Sequence, residues 1–500
     1  MHMRTERDRK RNNISDPGQL YLAHVVESEY RPSTTRGARL RRGPRSDTDL
    51  QRRAQSPFYD SIIRETLCVR PINKFRNNHH SIEDDWLLSS NRPLHPVYYY
   101  ASTAPRMSST QSVIVVGAGP VGLLVGLRLA KANIRTIILE ALPVVENSPR
   151  AAVYHPVAVQ ELDRAGILQD CRKIGMASGQ LTWRHISGEP IFEMGREVST
   201  DELYENLILG QHELAGVILD HFKRCEAGEV LFQHRVVGIE QEEDGDVVTA
   251  TVETPEGVKK FTASYLIGAD GGRSAVRQFC NVTFDGFTWP QQIVATNVVY
   301  PFDKYGYSTG NNICHKDHYA VIAKISKSGL WRVSYGEVGG LSTEELRERL
   351  PMKYDALMPG PRPLEYDLKM FSPYKIHQRC ANTFRIGRVL LAGDAAHLCN
   401  PFGGLGLTGG LLDAGALGDT LIARINNNYP DSILDKYSQV RRDIFLKLVD
   451  PTSQANLRRL FDSDPDTLRE TDPFFKSLLD ADGKQKEKSR GLGMLRVEIV

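Results

Sequence analysis

Apolar residues in this chain fall in short, separated runs whose spacing switches between a period of two and one near 3.6. The sharpest is Val113–Val116, four consecutive β-branched residues, which is how a strand buried on both faces reads. A helix is expected over Val121–Lys131 and a second strand over Arg135–Leu139. Val157–Ala165 reads as a short helix and Leu181–Arg196 as strands. Gln211–Cys225 places Leu214, Val217, Ile218 and Phe222 on one helical face. Val230–Glu240, Val247–Glu253 and Lys259–Ile267 predict a β-meander, with turns at Asp244-Gly245 and Pro255-Glu256-Gly257. Ile293–Val299, Tyr319–Ile325 and Leu330–Tyr335 are expected strands. Leu341–Leu350 is an expected helix opened by the capping pattern Ser342-Thr343-Glu344-Glu345. A buried strand at Arg388–Ala392 then precedes helices from Gly409 to Leu448. Before about Thr110 the periodicity is weak.

This order of elements predicts an α/β fold: a Rossmann-type nucleotide-binding domain, an inserted strand-rich domain and C-terminal helices. The first strand runs directly into Gly117-Ala118-Gly119-Pro120-Val121-Gly122 and then the helix, the context in which G-x-G-x-x-G is informative. Gly117 permits the tight turn, Gly119 lets backbone approach a pyrophosphate, and Gly122 allows close packing of helix on strand. Glu140 ends the second strand, where an acid accepts both ribose hydroxyls of an adenosine. The pattern alone is weak. Gly404-Leu405-Gly406-Leu407-Thr408-Gly409 also fits it, but no strand directly precedes.

Composition narrows the partners. With 41% hydrophobic residues, 25% charged residues and a net charge of +2, the chain has no field suited to nucleic acid or an acidic membrane. Seven scattered cysteines without a C-x-x-C pair indicate neither a metal site nor a disulfide framework, and point to a reducing, cytoplasmic setting. No apolar stretch reaches transmembrane length; the glycine-rich region after Val389 is interrupted by Asp394, Asp413 and Asp419. The Arg-rich start (Arg36, Arg39, Arg41, Arg42, Arg45) has a mitochondrial-transit flavour, but Glu6, Asp8, Asp16, Glu27 and Glu29 argue against it.

Two further signatures follow the first. Gly268-Ala269-Asp270-Gly271 succeeds an apolar strand, and Gly393-Asp394 ends another, leading into Pro401 and Gly403–Leu407. On Gly117–Gly122 with Glu140, Gly268–Gly271 and Gly393-Asp394, the chain resembles class A FAD-dependent aromatic monooxygenases of the para-hydroxybenzoate hydroxylase-like superfamily. The resemblance covers about Ser112 to Ile425. Phe287-Thr288-Trp289-Pro290 and Gly404–Asp413 lend it a flavour of the fungal phenol-hydroxylating branch.

The resemblance implies a glutathione-reductase-like FAD domain, with cofactor contacts at Gly117, Gly119, Pro120, Gly122, Glu140, Arg150, Gln211, Asp270, Gly393, Asp394, Pro401, Gly406 and Leu407. Asp270 is equally readable as a helix cap near Ser274. Asp394 would accept a ribityl or ribose hydroxyl, and the Gly403–Leu407 turn would offer N–H groups to the flavin pyrimidine edge. Where related enzymes often carry Asn, this chain has Thr408.

The implied chemistry is NADH- or NADPH-driven reduction of FAD, reaction with O2 to a C4a-hydroperoxide, and hydroxylation of a small phenolic, aromatic or polyketide molecule in a single-component enzyme. A homodimer stays open. The implied domains are an atypical or disordered extension (1–110), FAD domain (111–180, 203–283, 375–425), substrate sheet (181–202, 284–374), helices (426–482) and frayed tail (483–500). The substrate sheet offers His315, His318, Tyr319, Trp331, Arg332 and Tyr335; no catalytic residue is singled out. A non-oxygenating FAD oxidoreductase and a non-enzymatic FAD-binding paralogue share these motifs.

Overall fold

The computed structural model describes residues 111–146, 152–178, 180–195, 204–242, 245–479 and 495–500. The Arg-rich extension, Arg150 and most of the expected tail lie outside them. Two large sheets carry the architecture. The first has six strands in the order Arg385–Ile386, Val389–Leu391, Tyr265–Gly268, Ser112–Val116, Arg135–Glu140 and Gly228–Phe232. All its pairings are parallel except that of the Arg385 edge hairpin.

Val113–Val115 and Leu266 are 0–1% exposed, as a parallel strand covered on both faces requires. Helix Pro120–Lys131 packs beside this sheet with ten of its residues buried, and helix Leu405–Asn426 packs on it in turn. Truncating a buried leucine there, such as Leu124, would remove about 2–5 kcal/mol of stability.

The second sheet has eight strands: His397–Leu398, Asp367–Ala381, Phe284–Val299, Leu330–Glu337, Ala320–Lys324, Gly310–Cys314, Gln180–His185 and Pro190–Gly195. Alternation gives it two faces. Val294, Val298, Trp331, Val333 and Tyr335 pack on helix Thr343–Leu357. That helix opens with the predicted capping box: Ser342 Oγ accepts the Glu345 N–H and Glu345 Oε2 accepts the Ser342 N–H. The opposite face carries Ile293 and Tyr319, which cluster with Phe402 and Leu457.

Several boundaries differ from the sequence expectation. Val230–Glu240 divides: Gly228–Phe232 joins the parallel sheet beside Arg135–Glu140, whereas Arg235–Gln241 begins the meander. The apolar run serves two sheets, with Gln233 at φ 57° making the corner. The long helix starts at Leu405 rather than Gly409, because Gly404 at φ 65° turns the chain directly into it. The second sheet, expected to end at residue 374, continues to Ala381. Leu495 and Ile499, placed in a frayed tail by composition, are buried in the main core: both are apolar, and polar neighbours masked them. Among the described residues no helix is long and apolar enough to cross a membrane, and the six cysteines are free.

Candidate active site

The three signatures meet at one turn. A Cβ added at Gly117 (φ 105°) would lie 2.5 Å from the Ala269 carbonyl oxygen and 3.1 Å from Asp270 Cα, so the second signature presses on the first. A Cβ at Gly393 would lie 3.0 Å from Val121, so the third meets the same helix N-terminus. Gly122 faces the Gly117 carbonyl, 2.1 Å from any added Cβ. Gly119 is different: an added Cβ meets nothing within 4 Å. The open side of the turn is thus at the glycine expected to face a pyrophosphate, at a helix N-terminus where backbone N–H groups lack intrahelical partners. Pro120, first in that helix, has no N–H to leave unpaired.

Glu140 braces the turn: Oε2 accepts the Ala118 N–H at 2.7 Å and Oε1 the Leu142 N–H at 2.8 Å. Each carboxylate oxygen keeps accepting capacity for a ribose hydroxyl. Asp270 behaves as a cap, Oδ2 accepting from Ala275 N–H (2.7 Å) and Val276 N–H (3.1 Å). Its Oδ1 is buried without a hydrogen-bond partner among the described residues, and burial raises its carboxyl pKa. An orphaned buried oxygen is what a site awaiting a donor displays. Open space at Gly119, the glutamate at the strand end and this oxygen together fit an adenine dinucleotide.

Asp394 lies half-buried in the turn Gly393–Ala395. Pro401 is exposed; Gly406 and Leu407 sit in the first turn of Leu405–Asn426, where N–H groups are free of intrahelical bonds. Thr408 Oγ donates to the Gly404 carbonyl at 2.8 Å, so its hydroxyl proton is spent within the helix. His155 Nε2 donates to the Gly403 carbonyl at 2.7 Å, tying this turn to the loop after Val153–Tyr154. Gln211 is the first residue of helix Gln211–Phe222 and half-exposed.

Two braces escaped the sequence reading. Arg277 donates through Nη1 to the Ala395 carbonyl (2.8 Å) and through Nη2 to the Gly272 carbonyl (2.9 Å), joining the second and third signatures. Asp413 accepts the Gly393 N–H (3.0 Å) and His397 Nε2 (2.7 Å) on Oδ2, and Arg441 Nε (2.7 Å) on Oδ1. The available signal was an acid inside the apolar first half of a helix. Replacing Arg277 by Met should weaken FAD binding by about 1.5–3 kcal/mol, the scale of hydrogen bonds to charged groups; fluorescence titration of the apoprotein reads it.

The expected pocket residues separate by face. Trp331 and Tyr335 are fully buried against helix Thr343–Leu357, so they are core. His315 and His318 form a turn, His315 Nδ1 accepting the Asp317 and His318 N–H groups. Tyr319 lies over Gly336 and its ring centroid is 6.0 Å from that of Phe402, in the turn before helix Leu405–Asn426. Arg332 shares this face. Its Nε donates to Asn297 Oδ1 at 3.1 Å, and among the described residues no carboxylate pairs with it. Burial lowers its pKa to about 10, against the raising influence of Tyr374 and Tyr154. The Tyr154 hydroxyl, at the end of the strand Val153–Tyr154, is fully buried and has no partner among the described residues.

Comparison with known proteins agrees with this geometry. The family model "FAD binding domain" matches residues 110–452. The chain is 45% identical to para-nitrophenol 4-monooxygenase of a Pseudomonas species, over 74% of this chain and 92% of that protein. It is 40% identical to 6-hydroxy-3-succinoylpyridine 3-monooxygenase of Pseudomonas putida, over 72% and 91%. The crystal structure of p-nitrophenol 4-monooxygenase from Pseudomonas putida superposes with a TM-score of 0.71 at 41% identity, covering 76% of this chain and 95% of that one. These are oxygenases, which separates the chain from the non-oxygenating and non-enzymatic alternatives. On its three converging signatures and these likenesses, the chain belongs to the class A FAD-dependent aromatic monooxygenases.

Proposed function

We propose that this monooxygenase takes a hydroxylated aromatic ring bound through a negatively charged oxygen, as its phenolate or through an anionic ring substituent. The supporting observation is Arg332, a half-buried guanidinium on the sheet face that carries Tyr319, without a carboxylate partner among the described residues. A half-buried cation with no carboxylate beside it is a ready partner for an anionic ligand group. Arg332 supplies charge-assisted hydrogen bonds, Tyr154 an O–H donor, and Tyr319 with Phe402 a water-excluding wall. The relatives named above act on para-nitrophenol and 6-hydroxy-3-succinoylpyridine, both hydroxylated rings with an oxygen-bearing substituent, which supports the same class.

FAD, when bound, supplies the oxygen-transfer chemistry, with NADH or NADPH as reductant. The protein's own part is to bind the ring, hold its charge and exclude water. Burial lifts the Tyr154 hydroxyl's pKa, so it stays protonated and serves as donor rather than base.

Arg332→Met should raise KM for para-nitrophenol by about tenfold to a hundredfold, the loss of one charge-assisted contact. The effect on kcat should be smaller, and wild-type binding should tighten as pH rises through the phenol's own pKa. Substrate-stimulated NADPH oxidation with product analysis is the test. A KM for phenols unchanged in Arg332→Met would reject the assignment.

A further inference from the structure

We propose that Leu495–Val500 is a working part of the FAD site, acting through Arg441 and Asp413 on the backbone of the Gly393-Asp394 turn. The inference requires only that the chain binds FAD, not the substrate class above. Leu495 and Ile499 are 3% and 5% exposed and belong to the core of the nucleotide domain. The segment is pinned at three points. Arg441 Nη1 donates to the Leu495 carbonyl at 2.7 Å. Lys436 Nζ donates to the Ile499 carbonyl at 2.6 Å. Arg496 donates to Gln160 Oε1 at 3.1 Å and pairs with Glu161 at 3.5 Å, both on helix Pro156–Arg164.

From Leu495 the path to the cofactor turn is short. The guanidinium that holds its carbonyl donates through Nε to Asp413 Oδ1 at 2.7 Å and through Nη2 to the Gly409 carbonyl at 3.2 Å. Asp413 in turn accepts the Gly393 N–H on Oδ2, at 3.0 Å, together with His397. Arg441, Asp413 and His397 are 2%, 0% and 3% exposed, so water does not replace a lost partner. Gly393, at φ 61°, holds a left-handed backbone that leads directly to Asp394. Removing the Leu495 carbonyl leaves a buried Arg441 donor unpaired. The guanidinium then shifts, Asp413 follows, and the turn loses its fixed amide. Arg441 and Asp413 are positioning residues in this scheme.

Because coupling between binding events is reciprocal, FAD must also hold the segment in place. Deflavinated full-length protein and a version ending at residue 494 are titrated with FAD by flavin fluorescence. Truncation should weaken binding about tenfold, within the usual range of such couplings, and the peptide Leu-Arg-Val-Glu-Ile-Val added in trans should restore it. Arg441→Lys keeps the charge beside Asp413 but not the fork that reaches Leu495. It should weaken FAD binding similarly, and truncation in that background should add little. Undiminished FAD affinity on truncation, or full additivity of the two changes, overturns the proposal. If the shortened chain does not fold, Arg441→Lys and a carboxypeptidase time course on the intact protein decide. Digestion slowed by FAD supports the coupling, and equal rates with and without FAD refute it.

Discussion

Gly122→Ala is expected to yield a protein that retains no flavin and melts well below the wild type, whereas Gly119→Ala folds normally and binds FAD weakly. The two glycines are three residues apart in one motif, and their surroundings are opposite. A methyl at position 122 would lie 2.1 Å from the Gly117 carbonyl oxygen and 3.3 Å from Ala269 Cβ. Neither neighbour is the far end of a flexible side chain, so the helix must move away from the strand. Overpacking of this kind costs about 1–3 kcal/mol, and the displaced helix N-terminus no longer presents its amides to a phosphate. At position 119 the methyl meets nothing within 4 Å among the described residues. It occupies only the space into which the pyrophosphate backbone contact would reach. Melting temperature and flavin-to-protein ratio, measured on both variants, separate the effects. Equal behaviour of the two variants would contradict the roles assigned to them.

Asp413→Asn should destabilise the protein by about 3–5 kcal/mol, the penalty for removing one partner of a buried ion pair. It should also change the acid limb of the stability profile. Burial alone would raise the Asp413 carboxyl, but His397 and Arg441 outweigh it and hold the pKa at about 2. That folded-state value is below the unfolded value of about 4. The contribution of Asp413 is therefore fully present above about pH 4 and is lost as pH falls through the folded value near 2. Wild-type stability should decline through that window, and the Asn variant should decline less steeply. Chemical denaturation across the acid range checks the sign. A variant as acid-sensitive as the wild type would remove Asp413 from the account.

Much of the nucleotide site was legible in the chain. Val113–Val116, the glycines at 117, 119 and 122, and Glu140 are joined by local geometry: a strand, a turn and a helix within one stretch of sequence. Each residue's role follows from its own place in that unit, and the structure keeps the unit intact. The Ser342–Glu345 cap and the strand before Gly393 were readable for the same reason. Asp270 shows the limit of local reading. Its capping role needed only Ser274 and the next turn, while its unpartnered Oδ1 appears only when the first signature closes over it.

What sequence by itself determined, then, is the kind of ligand and the strand-and-helix units that meet it, because short-range hydrogen bonding and side-chain periodicity are local. Tertiary structure alone decided which residues of different units share an environment. Trp331 and Arg332 are neighbours in sequence, yet strand alternation sends one into the core and the other to the opposite face beside Asn297. Arg277 reaches Ala395, and Arg441 draws together Asp413 and Leu495. These contacts join parts of the chain that no periodicity links. They exist because a buried guanidinium must satisfy several donors at once, and only the folded chain brings enough carbonyls and carboxylates within its reach.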